Sequence, residues 1–493
     1  MTRLSRSLAA VVLVAAAVGC SRPAELDRPI TSGGAAAEFA SGLQKQVTVD
    51  DMLTHLNKLQ DIANANDGNR AVGSPGYQAS VDYVAEMLRS KGFDVTTPEF
   101  SARVFKSEKP VLKVGGTVFE ANALEFSAGT PGLSGPLVAA PADETPGCVP
   151  ADYDGLPVQG SVVLVDRGSC HFNDKATIAA KLGAIALIVA DNVDEKKMGG
   201  TLGEDTQVQI PVVSVSKADG ARLRAAPGPV SLELDAATRT ITAQNVIAQT
   251  KTGSPQNVVL VGAHLDSVPA GPGINDNGSG VAAVLATAMA LGSAPGIRNA
   301  VRFAFWGAEE IGLVGSKRYV ASLNTDQLKD IALYLNFDML GSQNPGYFTY
   351  DGDQSAPLGD GRVPRVPEGS PGIERTFVGY LKSQGKTAQD TSFDGRSDYE
   401  GFTMAGIPAG GLFSGADENK TADQAKLWGG TADAPFDPNY HKATDTLVHV
   451  DRDAMRINGG GVPFAVGLYA QDLDGRNGMP IREDRTRHML PGS

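Results

Sequence analysis

Apolar residues recur every three or four positions after Thr48: Met52, Leu56, Leu59 and Ile62 share one helical face. Thr48, with Asp51 three residues on, supplies a capped start. A second helix is expected over Tyr77 to Lys91, with Val81, Val84 and Leu88 on one side and Gly92 as its stop. Phe93 to Phe105 reads as strand. From about residue 245 the pattern changes to strand, loop, helix, repeated. Val258 to Val261, Val301 to Trp306, Leu333 to Phe337 and Pro408 to Phe413 are near-continuous apolar runs of strand length, with helices expected at Val281 to Leu291 and Asp451 to Tyr469. Strands without polar alternation are buried on both faces. The pattern therefore predicts an α/β fold, a mostly parallel central sheet with helices on both faces.

Between about 120 and 235 the texture differs. Gly and Pro are frequent, and short β-rich runs surround one helix of about ten residues, Asn173 to Leu182. This predicts a small α/β module inserted into a discontinuous main domain, residues 46–119 and 236–475. Residues 21–45 are rich in Ala, Gly, Ser and Pro without an apolar period, and read as a flexible tether. Residues 476–493 read as a polar, frayed tail.

At 493 residues the chain exceeds one ordinary core, in keeping with two domains. The net charge of −13 and the absence of any basic block argue against nucleic acid as a partner. The first twenty residues combine Arg3 and Arg6 with an apolar run, Leu8 to Val18, and end in Ala17-Val18-Gly19-Cys20. That is the form of a lipoprotein signal whose Cys20 carries the lipid, tethering the exported protein to the outer side of the cytoplasmic membrane. Cleavage near Ala15 to Ala17, giving a soluble secreted protein, is the alternative. Export leaves Cys148 and Cys170 as an even pair in an oxidising compartment, hence one disulfide, or else two separate thiols.

Open α/β sheets place their sites beyond the carboxyl ends of the strands. Here the first strand runs into His264 and Asp266, then a loop with Asn275-Asp276-Asn277-Gly278; the second runs into Glu309-Glu310; the third delivers Asp338. Tyr440-His441 and Asp445 come later. Two imidazoles and three carboxylates suit zinc. Five donors exceed one tetrahedral zinc that keeps a water, and fit two zinc ions sharing a carboxylate, with a hydroxide clamped between them. There is no His-Glu-x-x-His and no Gly-x-Ser-x-Gly, and Gly385-Lys386-Thr387 lacks the spacing of a phosphate loop. The other histidines, His55, His171, His449 and His488, are taken as structural.

The strings AHLDS, NDNGSG, WGAEEIGLVGS, NFDML and YHKATDT resemble those of the secreted bacterial di-zinc aminopeptidases, metallopeptidase family twenty-eight. RAVGSPGY at Arg70 resembles the stretch before their catalytic domain. VVLVDRGSCHFNDKA and GAIALIVADN in the insert look like a protease-associated (PA) domain. The resemblance implies a zinc-exopeptidase fold with an inserted PA domain. It implies two Zn2+ per chain, with Asp276 as bridging ligand, His264 and Asp338 completing one site and Glu310 and His441 the other. It further implies Glu309 as general base, Asp266 as the partner that orients His264, and Tyr440 as oxyanion donor. Arg396, in GRSDY, resembles a residue shaping the substrate amine site; an ordinary ion pair with Asp398 is the alternative. Asp445 is expected to orient the His441 loop. A cis peptide after the bridging Asp is also implied.

The substrates expected are peptides with free N-termini. Two rivals remain at this level: a di-zinc carboxypeptidase or dipeptidase, which would want a basic pocket for a terminal carboxylate, and a non-catalytic PA-domain receptor, which would lose the ligand set. Calcium is left open by the sequence.

Overall fold

The computed structural model describes residues 34–193, 199–225, 228–356, 365–474 and 478–491. Cys20 and its signal segment lie outside the described residues. Among those described, no helix is long and apolar enough to cross a membrane.

The sheet of the main domain has eight strands, in the order Asp94–Thr96, Val246–Gln249, Asn299–Trp306, Ser254–His264, Ile331–Phe337, Ala409–Phe413, Phe348–Tyr350 and Gln389–Thr391. The four strands at its centre run parallel. Alternate side chains reach opposite faces. Val259 and Val261 join a core with the helices Gly280–Leu291 and Arg452–Gln471; Val258 and Leu260 join a second core with Val320, Leu328 and Phe402. Both faces are thus dry, as unbroken apolar strands require. Gly262 sits where these strands crowd: a Cβ there would lie 2.7 Å from Trp306 Nε1 and 2.9 Å from the Tyr334 hydroxyl.

The helix Val49–Asn64 starts on Thr48 with the reciprocal Asp51 cap, and Pro75–Ser90 starts on Ser74. Pro98 divides the strand expected over Phe93 to Phe105 into Asp94–Thr96 and Glu99–Ser107. The second of these pairs along its length with Ala236–Gln244, from Glu99 opposite Gln244 to Ser107 opposite Ala236. This antiparallel ribbon carries the chain into and out of the inserted domain. The insert has its own eight-stranded sheet, beginning at Val111–Val114 and ending at Pro229–Leu234, so its first strands precede the expected boundary at 120. Cys148 and Cys170 are joined as a disulfide within it.

Two terminal expectations are corrected. The tether was expected to extend to residue 45, but Gly34–Gln46 is a helix that buries Ala36, Ala40 and Leu43. It lies so close to the helix Arg452–Gln471 that a Cβ on Gly467 would come within 2.8 Å of Ala40 Cα. Small side chains pack by close backbone approach and leave almost no apolar period to read. The tail, expected to fray over 476–493, is pinned between 478 and 491. Arg485 donates to the carbonyls of Gln256 and Lys329 at 3.0 and 2.7 Å and to Asn257 Oδ1 at 2.6 Å, and Arg487 donates to those of Gly406 and Ile331 at 2.7 and 2.9 Å.

Candidate metal centre

Three neighbouring parallel strands end at one place. His264 is the last residue of its strand and lies opposite Trp306; Glu309 and Glu310 follow Trp306 by a short turn; Asp338 directly follows Phe337. Left-handed backbone marks this edge at Ala308, Met339 and His441. Such conformations cost on the order of 1–3 kcal/mol each and concentrate at functional sites. The peptide bond between Asp276 and Asn277 is cis.

The Asp276 carboxylate stands between the two imidazoles. Its Oδ1 is 3.2 Å from His264 Nε2, and its Oδ2 is 3.2 Å from His441 Nε2. Asp338 Oδ1 lies 3.3 Å from His264 Nε2, and Glu310 Oε2 lies 3.0 Å from His441 Nε2. The five expected ligands therefore form two groups of one imidazole and one carboxylate on either side of Asp276. His264 Nδ1 is 3.1 Å from the Asp266 carbonyl, an acceptor only, so Nδ1 carries a proton and Nε2 is the nitrogen turned to the carboxylates.

The donor set fits metal ions on further grounds. Asp338 Oδ1 and Glu310 Oε1 are buried and accept no hydrogen bond. Asp266, Asp276, Glu309, Glu310, Asp338 and Asp398 crowd the site with carboxylates, and Arg70 is the fully buried guanidinium beside them. Burial pushes Glu309 well above the usual carboxylate range; Asp338, Glu310 and Asp398 add to this while His264 opposes it. Burial raises Glu310 to about 7, aided by Asp276 and opposed by His441. Asp276 is held low despite its burial by the hydrogen bonds to both imidazoles. Burial would lower His441, yet its bonds to Asp276 and Glu310 lift it to about 10. A site with this surplus of buried negative charge calls for cations.

Asp266 lies against His264, with its carbonyl 3.1 Å and its carboxylate 3.8 Å from Nδ1. The same carboxylate also accepts the backbone N–H groups of Glu309 and Glu310, at 3.2 and 3.3 Å. Asp445 ties the His441 loop to the Asp276 turn: its own N–H donates to the Lys442 carbonyl at 3.0 Å, and its two oxygens accept the N–H groups of Asn275 and Asp276 at 2.8 and 3.0 Å. Tyr440 stacks on His441 with centroids 3.8 Å apart and shares the cavity. Arg396 lines it too, 3.5 Å from both the Tyr440 hydroxyl and Glu418, and not paired with Asp398, which is buried. His55, His449 and His488 make contacts away from the cavity, and His171 lies in the insert.

Two supports were not read from sequence. Arg70 donates to the carbonyls of Leu265, Pro272 (2.9 Å) and Gly273 (2.6 Å), clamping the loop between His264 and Asp276. Its place in RAVGSPGY was the available signal. Behind Asp338 runs a buried chain of hydrogen bonds: Trp306 Nε1 to the Tyr334 hydroxyl (2.8 Å), that hydroxyl to Asn336 Oδ1 (2.9 Å), Asn336 Nδ2 to Ser397 Oγ (2.8 Å), and Ser397 to Asp338 Oδ2 (2.6 Å). A further acidic group, Asp351, Asp353 and Glu374, brings one oxygen of each residue within 4.8 Å of the others, and Asp351, Asp353 and Glu374 also accept backbone N–H groups of Asp353, Ser355 and Ala356.

Comparison with known proteins identifies the family. Residues 245–462 match the model of peptidase family M28, and residues 133–223 match that of the PA domain. The chain is 67% identical to the probable lipoprotein aminopeptidase LpqL of Mycobacterium tuberculosis, over 99% of each chain. It is 41% identical to an aminopeptidase of Pseudomonas aeruginosa, over 86% of this chain and 81% of that one. Among solved structures, an aminopeptidase from Aneurinibacillus sp. strain AM-1 aligns with a TM-score of 0.72 at 27% identity, covering 88% of this chain and 96% of that one. A zinc aminopeptidase from Bacillus subtilis aligns with a TM-score of 0.62 at 25% identity, covering 88% and 98%.

Proposed function

The chain belongs to peptidase family M28 as a metallo-aminopeptidase, and we propose that it removes the N-terminal residue of peptides at two zinc ions that share Asp276. His264 and Asp338 would hold one ion, and His441 and Glu310 the other. The observation that carries this reading is the Asp276 carboxylate, with one oxygen 3.2 Å from each imidazole. When bound, the ions would polarise the scissile carbonyl and lower the pKa of the attacking water from about 15.7 towards 7.

The protein's own groups do the rest. Glu309, buried at the cavity and held by its backbone N–H on Asp266, takes the proton of the attacking water and delivers it to the leaving amine. Burial raises its pKa above the usual carboxylate range, which favours taking up that proton. The Tyr440 hydroxyl donates to the developing oxyanion; one such donor contributes about 3–4 kcal/mol. Arg396 positions that hydroxyl. The Arg70 and Asp445 contacts keep the Asp276 turn in place, so the donors need no rearrangement as substrate arrives. Substrates are peptides with free α-amines, whose positive charge suits the acidic cavity. The protein is exported and held by a lipid on Cys20 at the outer side of the cytoplasmic membrane; the lipoprotein name of the Mycobacterium tuberculosis relative supports this.

The test compares aminoacyl-anilides with N-terminally blocked dipeptides. An aminopeptidase cleaves the first. Among the described residues, Arg396 is the one Lys or Arg side chain lining the cavity, and it already has Glu418 and Tyr440 as partners. Cleavage of the blocked substrates alone would mean that Arg396 binds a terminal carboxylate instead, and would overturn the reading.

A further inference from the structure

A second cavity, of about 510 Å3, lies between the inserted domain and the catalytic domain. That is within the roughly 300–1,000 Å3 of small-molecule and peptide clefts. Glu310 lines both this cavity and the metal-centre cavity. Ile311 and Gly312 continue along the cleft from it, and the facing wall comes from the insert, with Phe126, Thr201 and Asp205. The wall is fixed in place: Glu204 lies 4.0 Å from Arg318, and the Arg103 guanidinium donates to the Glu204 and Thr206 carbonyls. The lining is apolar along Phe126, Ile311 and Met404. Lys317 pairs with Glu400 and Arg318 with Glu204, and Glu310 faces His441, which leaves Glu125 and Asp205 as the excess carboxylates of the lining.

We propose that this cleft receives the residues of the peptide beyond the scissile bond, and selects narrow, unfolded N-terminal segments whose second and third residues are apolar or basic. The inference rests on the aminopeptidase reading and extends it to the leaving side of the substrate. A chain whose amine lies at the metal centre and whose next residues pass over Glu310 meets Ile311 and then the wall of the insert. A folded segment does not fit between the two domains. An acidic residue at the second position meets carboxylates, whereas a basic one finds partners.

Two variants of exposed side chains in that wall test it. Thr201→Trp narrows the cleft, and Asp205→Lys reverses one of its charges. With Leu-p-nitroanilide, Leu-Ala-Ala-Ala, Leu-Arg-Ala-Ala and Leu-Glu-Ala-Ala as probes, Thr201→Trp is expected to lower the tetrapeptide-to-anilide ratio of kcat/KM by about tenfold. Asp205→Lys is expected to shift the Arg-to-Glu ratio towards Glu by about fivefold, a rim-charge effect that fades with salt. Ratios equal to those of the wild type in both variants would overturn the cleft assignment while leaving the aminopeptidase reading intact. A wild-type protein that cleaves none of the four probes would overturn the aminopeptidase reading, and the cleft with it.

Discussion

Replacing Asp266 by Asn probes how the catalytic edge is held. The Asp266 carboxylate accepts two backbone N–H groups, those of Glu309 and Glu310, at 3.2 and 3.3 Å. Asn keeps one oxygen and turns an NH2 group towards the other N–H, so one charge-assisted bond is lost and two donors face each other. A bond to a charged group contributes about 1.5–3 kcal/mol. At about 1.4 kcal/mol per tenfold, that predicts a loss of about 10- to 150-fold. The range agrees with the 10–100-fold typical of residues that support metal ligands from behind. The fall belongs to kcat, because the turn carries the proposed base. Steady-state kinetics on an aminoacyl-anilide, with zinc measured on the same samples, give the answer. An unchanged kcat would deny the bonds. Full recovery on added zinc would put the effect on the proposed ligands His264 and Glu310 and not on the base, and refute the reasoning just as well.

Other outcomes are expected. Glu309→Gln should remove most turnover while zinc stays bound; loss of the metal as well would mean that Glu309 is a ligand and not the base. Asp276→Asn should reduce zinc content at both positions, whereas loss of a single ion would deny bridging. His55 is buried against Tyr83, and burial lowers its pKa from 6.5 to about 4. The unfolded chain therefore binds this proton at higher pH than the folded one. The neutral ring's contribution, about 3 kcal/mol, is complete above pH 6.5 and fades as pH falls towards 4. Melting curves of the wild type and His55→Gln should converge over that interval; a gap independent of pH would contradict the linkage.

Much of the centre was legible because it is built from strand ends. An apolar run tells where a buried strand stops, and His264, Glu309, Glu310 and Asp338 stand at such stops. What escaped depends on contacts between distant segments. Nothing near Ser397 signals that its hydroxyl meets Asp338, or that Asn336 and Tyr334 stand behind it. Arg70 lies about 200 residues from the carbonyls that it clamps. The nearness of Asp266 to His264 was legible from their spacing, but its two further bonds to the N–H groups of Glu309 and Glu310 were not, since they depend on ångström-scale placement of a distant turn. The helix Gly34–Gln46 was read as a tether because Ala36 and Ala40 pack through close approach, not through a conspicuous apolar stripe.

The central claim is that Asp276 holds two metal ions at once. Diffraction from crystals of the zinc-loaded protein, collected on both sides of the zinc absorption edge, tests it most directly. Two anomalous peaks are predicted, one between His264 and Asp338 and one between His441 and Glu310, each bonded to a different oxygen of Asp276. A single peak, or two peaks of which one lacks Asp276, would contradict the account.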